Sequence, residues 1–423
     1  MKLENKNTNY CATVIRIKNS VKLAGLDRLV GINYFGCSSL VDLQTAEDTE
    51  GLYLFFTAET QLSKDFASNN NLFRHQELNV DKEKSGYLED SGRIKALKLK
   101  GNVSSALVVP VSSLAYLGVD VSSLKEGDAF THVNGVEVCK KYVIRQPYVK
   151  GEKNTNTPER FCRIDKKLMP EHIDSENWWK NEHKIPDDAD IVVTQKIHGT
   201  SGRFANQVCN RKLNWKERIA KFLGCKVQET EFDYFAGSRR VIKDVNKDLQ
   251  HFYKEDIWNY HLEKIKHVIP KNWILYGEIA GYVGDKEIQP NYSYCHNPGE
   301  STLYIYRIAV VNPDGVSVDL SWDAIVEYCQ SVGLNYVPEL FRCKKKDFDV
   351  DKLMNIKYNE SGYQQCVRTS HSSPCDEGVC VRVEGMKPFI LKAKSPLFLT
   401  HETKQLDMGV ADIETQESDN EGS

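Results

Sequence analysis

Over the first third of the chain, apolar residues come in short runs broken by turn formers. The β-rich runs at 12–17, 52–57, 106–111, 133–138 and 141–144 are separated by clusters of Gly, Asn, Asp and Ser, the texture of many short strands. Such a series makes a barrel or a sandwich. Periodicity stops at 150–157, a polar stretch ending before Pro158, which reads as an exposed connection between domains. A charged and aromatic stretch follows, through Trp178 and Trp179, and a second domain opens with an apolar strand at 190–196. There the pattern mixes periods. Helices are expected at 215–223, 256–268 and 322–332, the last with Ser321 at its N-cap and Gly333 just past its end. Strands are expected at 273–279, 303–311, 379–383 and 389–393. This is an α+β arrangement of antiparallel sheets and helices, since no Gly-rich dinucleotide turn and no regular βαβ period is present. The expected organisation is a β domain over 1–150, a connecting segment over 151–186, an α+β domain over 187–400 and an acidic, Ser-rich disordered tail over 401–423.

Composition narrows the function. A chain of 423 residues, 40% of them apolar, suggests about two or three domains. Lys and Arg number 56 against 59 Asp and Glu, a formal net charge of −3. That balance lacks the positive excess of a non-specific nucleic-acid coat, so any nucleic-acid site has to be local. No apolar run approaches the roughly 20 residues that span a bilayer, and the opening Met1-Lys2-Leu3-Glu4-Asn5 lacks a secretory core. The expectation is a soluble intracellular protein with no membrane role, cytoplasmic or in the nucleoid or nucleus. The 12 cysteines contain no Cys-x-x-Cys pair, and Cys366, His371, Cys375 and Cys380 have none of the usual zinc spacings. They read as buried thiols.

The sharpest local signal is Thr194-Gln195-Lys196-Ile197-His198-Gly199. A lysine at the end of an apolar strand, followed by a glycine turn, presents an amine at the lip of a pocket where backbone can approach a ligand. Alone the pattern is weak. Downstream, in order, come Ser238-Arg239-Arg240, Tyr276-Gly277-Glu278, Tyr304-Ile305-Tyr306-Arg307, Asp376-Glu377-Gly378-Val379 and Leu391-Lys392-Ala393-Lys394. Lys392 and Lys394 alternate in a strand and so share a face.

The order and wording of these segments resemble the five-motif signature of the covalent nucleotidyltransferases, which include DNA ligases, RNA ligases and mRNA capping enzymes. Lys-Ile-His-Gly in place of Lys-x-Asp-Gly, and Gly-Ser-Arg-Arg-Val after a short helical insertion, resemble the nick-sealing RNA ligases. An all-β domain ahead of the motifs is similar to the family 5 RNA ligases, in which an OB-like module precedes the catalytic domain. The motifs cover 190–395; for 1–150 the resemblance rests on arrangement and strand-rich texture.

The resemblance implies ATP and a divalent cation, Mg²⁺ or Mn²⁺, as cofactors, and RNA or an RNA-containing nicked duplex as partner of a monomeric enzyme. Lys196 would attack ATP to give a lysyl-AMP, which requires a deprotonated amine; a positive neighbour such as Lys392, Lys394 or the metal would depress its pKa. Lys392 and Lys394 would clamp the α-phosphate. A carboxylate among phosphates is repulsive unless a cation lies between, so Glu377 is assigned to the metal, and Glu278 to the ribose hydroxyls or the same water shell. Tyr306 would stack on adenine, Thr194 would meet the adenine edge, and Arg239 or Arg240 would contact sugar or phosphate. His198 would position the turn or assist the first step, and Gly199 belongs to the same turn. Ser201 stands where many relatives carry a polar or basic group, with Arg203 as a candidate substitute. Basic residues of the insertion (Arg211, Lys212, Lys216, Arg218, Lys221) and of the first domain (Lys95, Lys98, Lys100) are candidates to follow a nucleic-acid backbone. The rival readings are a capping-type guanylyltransferase and a nucleic-acid-binding scaffold that kept the fold without the reaction.

Overall fold

The computed structural model describes residues 1–144, 163–243, 255–385 and 387–409. The boundary expected near 150 lies outside them.

The N-terminal half is built from short antiparallel strands. Its central sheet has the order Ala106–Pro110, Tyr53–Thr57, Ala12–Ile15, Ala129–Phe130. All five residues of Tyr53–Thr57 are buried, because alternate side chains feed two cores: Leu54 and Phe56 pack with Val14 and Phe66, while Tyr53 and Phe55 pack with Ile15 and Ile32. The run expected at 133–138 is a hairpin instead, His132–Val133 against Val136–Glu137, with Asn134 and Gly135 at φ 50° and 83° supplying the turn. The sheets of this half are separate and close into no barrel among the described residues.

The second half carries two antiparallel sheets. One has the order Ile242–Lys243, Thr230–Gly237, Thr200–Asn210, Trp273–Val283, Ser301–Val311, Ser317–Asp319. The other has the order Glu176–Asn177, Phe389–Lys394, Gly378–Val383, Asp190–Gln195, Glu339–Lys344, and its first pair is parallel. Helix Trp322–Val332 runs from Ser321 to Gly333 as its caps dictate, the Ser321 hydroxyl accepting from the Ala324 N–H and Gly333 at φ 72°. Helix Ile257–Ile265 starts after Asp256 and ends in a 3₁₀ turn at Lys266–Val268.

Two expectations need correction. The described part of the connecting segment is not a linker: Ile164, Leu168 and Met169 enter a core with Phe235 and Ile274, and Trp178 is buried against Phe348 at 5.0 Å between rings. The tail is not free from 401, because Pro396–Asp407 is an α-helix with proline in its first turn. Residues 410–423 lie outside the described residues. The helix was hidden because its core contribution is small, only Phe398, Thr400 and Thr403 being buried.

That helix joins the two halves. Arg93, fully buried, donates to both oxygens of the buried Glu59 (2.7 and 2.8 Å), to Asp407 (2.8 Å) and to the Thr403 carbonyl (3.2 Å). The Thr403 hydroxyl donates to Glu59 (2.6 Å) and accepts from the Ala96 N–H (3.0 Å). Lys95, one of the basic candidates of the first domain, pairs with Glu89 and Asp407, while Lys98 and Lys100 are exposed. Arg93→Ala is expected to destabilise the fold by about 3 kcal/mol, since it strands the Glu59 charge in the interior; urea denaturation monitored by tryptophan fluorescence measures it.

Candidate active site

The pleat of three strands sets the site. In Asp190–Gln195, Ile191 and Val193 enter one core with Val379, Val381, Leu391 and Ala393. Thr194 is thereby turned to the opposite face, and Lys392 and Lys394 share that face. Lys196 follows the strand directly, its N–H bonded to the Gly378 carbonyl (2.9 Å). The turn after it needs its glycine, because a Cβ on Gly199 would lie 2.2 Å from the Ile279 carbonyl oxygen. Gly378, at φ 142°, would put a Cβ 1.9 Å from the Ala393 carbonyl. The first approach seats the turn against strand Trp273–Val283, and the second closes the hairpin of Gly378–Val383 and Phe389–Lys394.

All ten candidate residues, Thr194, Lys196, His198, Gly199, Arg239, Glu278, Tyr306, Glu377, Lys392 and Lys394, line one cleft of about 750 Å³. Glu377, 1% exposed, is its electrostatic centre. Its carboxylate lies 2.9 Å from Lys196 Nζ, 3.5 Å from Lys394 Nζ and 3.7 Å from His198 Nδ1. Burial pushes the Glu377 carboxyl up, but the two ammonium groups outweigh it and hold it below the ordinary value. Burial likewise pulls Lys196 down, and Glu377 overrides it, so Lys196 is held above the ordinary lysine value. The expectation of a depressed Lys196 is thus reversed. The depressed lysine is Lys392, which has no ion pair or hydrogen bond among the described residues; burial, then Lys394, Lys196 and Arg239, take it down to about 7.

The remaining side chains are held as follows. His198 is pushed down to about 4 by burial and packs edge-on against Tyr292 and Phe398, while its N–H donates to the Tyr294 hydroxyl (2.6 Å). It is therefore uncharged at neutral pH. Glu278 accepts from the Gly199 N–H (3.0 Å) and the Ser201 hydroxyl (3.4 Å), so it braces the turn. Thr194 donates to the Cys380 carbonyl (3.4 Å). Tyr306 is hydrogen-bonded to His172, and Arg239 pairs with Asp174. Arg203 cannot replace Ser201: it is buried and donates to the carbonyls of Ser238 (2.8 Å) and Met169 (2.6 Å).

Residues 189–394 match the family model for RNA ligases. This half of the protein is an RNA ligase domain. Among solved structures the chain is similar to variants of Naegleria gruberi RNA ligase. One with ATP and Mn is 16% identical with a TM-score of 0.58, covering 92% of this chain and 98% of that one. Another, with AMP and Mn, is 15% identical with a TM-score of 0.56 and the same coverage. The enzyme with PPi gives 15% and 0.56, covering 93% and 98%. At such identities the likeness is one of fold, and it extends over the N-terminal half as well. No curated protein matches the chain.

Several contributors to the ligase cleft escaped the sequence reading. Glu402, on the C-terminal helix, bonds Lys394 (3.0 Å); burial pushes its carboxyl up, but Lys394 overrides this and takes it down to about 2. The N-terminal half supplies a wall that includes Tyr10, Lys140 and Lys141. Beneath strand Asp190–Gln195, buried Asp376 accepts from Gln195 Nε2 (2.7 Å), the Thr369 hydroxyl (2.6 Å) and the Tyr358 N–H (2.8 Å). Only Asp376 had a sequence signal, its place beside Glu377. Asp376→Ala is expected to cost about 3 kcal/mol by leaving three buried donors unpaired, again read by urea denaturation.

Proposed function

We propose that this protein is an ATP-dependent RNA ligase that seals a 3′-hydroxyl/5′-phosphate break, with RNA on the 3′ side of a nick in duplex, through a lysyl-AMP on Lys196. The observation that carries the reading is the convergence of Lys196, Glu377, Lys392 and Lys394 in one cleft within the domain that matches the RNA ligase model. Lys196 Nζ, after releasing one proton to solvent, forms a bond to the α-phosphorus of ATP, the α–β bridging P–O bond breaks with its electron pair going to pyrophosphate, and a second nitrogen proton leaves to solvent as the phosphoramidate forms. AMP then passes to the 5′-phosphate, and the 3′-hydroxyl displaces it. Lys394, fixed by Glu402 and Glu377, faces the transferred phosphate with a charge already in place, and Lys392 adds its own once a proton is taken up.

Glu377 and, through water, Glu278 would hold the divalent cation. Their hard oxygen donors fit Mg²⁺ or Mn²⁺; no group of three His, Cys, Asp or Glu is gathered as a cage among the described residues, which suits an ion that keeps waters and takes phosphate oxygens. When bound, such an ion neutralises phosphate charge. We read the N-terminal half as the OB-like module, with Lys140 and Lys141 turned to the cleft where a backbone would pass. Acting inside the cell as a monomer completes this reading.

Incubation with α-labelled ATP is expected to give a protein–AMP adduct that survives alkali and is released by acid, as a phosphoramidate is, absent with GTP and reduced by roughly three orders of magnitude or more in Lys196→Ala. An adduct with GTP alone would mean capping-type chemistry, and none with either would mean a scaffold. A second expectation follows from Lys392, which is mostly neutral at pH 8 with a pKa of about 7. A phosphate beside it raises that pKa, so AMP binding at pH 8 takes up protons. Calorimetry in buffers of different ionisation heat measures this.

A further inference from the structure

Strand Thr200–Asn210 pairs with Thr230–Gly237 as a long hairpin, and the excursion between them carries helix Trp215–Phe222. Surface helices normally turn their apolar stripe inward. This one is inside out. Its least exposed residues are Glu217 and Ala220, and Glu217 is held by Arg211 (2.6 Å) and by the Asn214 N–H (2.8 Å) in a capping box. Lys221, also on the inner side, pairs with Glu229 of the hairpin stem. The outward face is Trp215, Ile219 and Phe222, at i, i+4 and i+7, continued by Leu223. These are 68%, 51%, 90% and 71% exposed, and no helix residue is buried.

The helix is too well fixed for this exposure to be fraying: its N-terminus is capped, and ion pairs tie it to the stem on the inner side. Charge says what covers the stripe. Lys216 and Arg218 flank it on either side, and Lys212 and Lys226 stand at its ends, all exposed. Glu217 is the single acidic residue between Arg211 and Lys226, and Arg211 neutralises it. A convex helix with Trp, Phe, Leu and Ile on one face and cations along both edges has the design of an interfacial helix, whose rings enter the acyl boundary while lysines and arginines reach the head groups. RNA would use the cations but leave Ile219 and Leu223 in water. The helix also sits at the far end of an 11-residue strand from the catalytic turn, about 33 Å at 3.3 Å per residue, so it serves a surface separate from the cleft. This departs from the sequence-based expectation, which took the basic residues as a path for a nucleic-acid backbone and gave the protein no membrane role.

We propose that helix Trp215–Phe222 docks the protein on an anionic lipid surface, lying in its plane. No helix among the described residues is long and apolar enough to cross a membrane, and docking of this kind requires none. The full-length protein should sediment with phosphatidylcholine–phosphatidylserine vesicles and not with phosphatidylcholine alone, and added salt should release it. Phe222→Ser combined with Leu223→Ser should weaken vesicle binding by roughly tenfold or more, and so should Lys216→Glu combined with Arg218→Glu. Both double variants should keep their thermal midpoint and, since all four residues are solvent-exposed and remote from the cleft, whatever nucleotide adduct the parent forms. Absence of sedimentation with the anionic vesicles at low salt would overturn the proposal. So would equal binding by the apolar double variant, or a dimer in light scattering that this variant abolishes, which would assign the face to a second copy of the chain.

Discussion

Everything in the cleft is arranged around one buried carboxylate. Glu377 sits in the interior with Lys196 and Lys394 on its two oxygens, and its charge would not be tolerated there without those ammonium groups. The arrangement gives the ligand-free cleft a stable charge pattern and fixes both amines in place. It also holds Lys196 as an ammonium, while burial and the neighbouring cations take Lys392 down to about 7. On the function proposed above, a nucleotide entering the cleft would have to rearrange that protonation.

The second organising feature is the helix Pro396–Asp407. On one side it places Phe398 against His198 and Tyr292 and Glu402 on Lys394. On the other it is gripped by the buried Glu59–Arg93 pair of the N-terminal half. The last lysine of the site is thus held by an element whose position depends on a different half of the protein. A shift of the N-terminal half would be felt at Lys394 through Thr403 and Glu402, one residue apart on the same helix.

Much of this was legible in the amino-acid order. The strand alternation that puts Lys392 and Lys394 on one face, the caps of Trp322–Val332, and the convergence of ten candidates separated by as many as 200 positions came from local pattern and from the resemblance of the motifs. Local pattern works where each residue's environment is set by its neighbours a few positions away, as pleat and capping are. It failed where the environment comes from elsewhere. The helix from Pro396 lacks a strong apolar stripe because part of what holds it is a buried ion pair 300 residues upstream. Arg203 looked available for a ligand until the carbonyls of Met169 and Ser238 were found around it.

The sequence by itself determined the chemistry: which amines, carboxylates and glycines are present, in what order, and on which face of a strand. Only the tertiary structure decided their charge states and companions. A pKa is a sum over burial and every nearby charge, and Glu377, Glu402 and Arg239 reach the lysines from segments that no spacing rule connects. The same holds for the helix Trp215–Phe222. Its amphipathic pattern is local, but whether that pattern faces the core or the solvent is fixed by what lies beneath it.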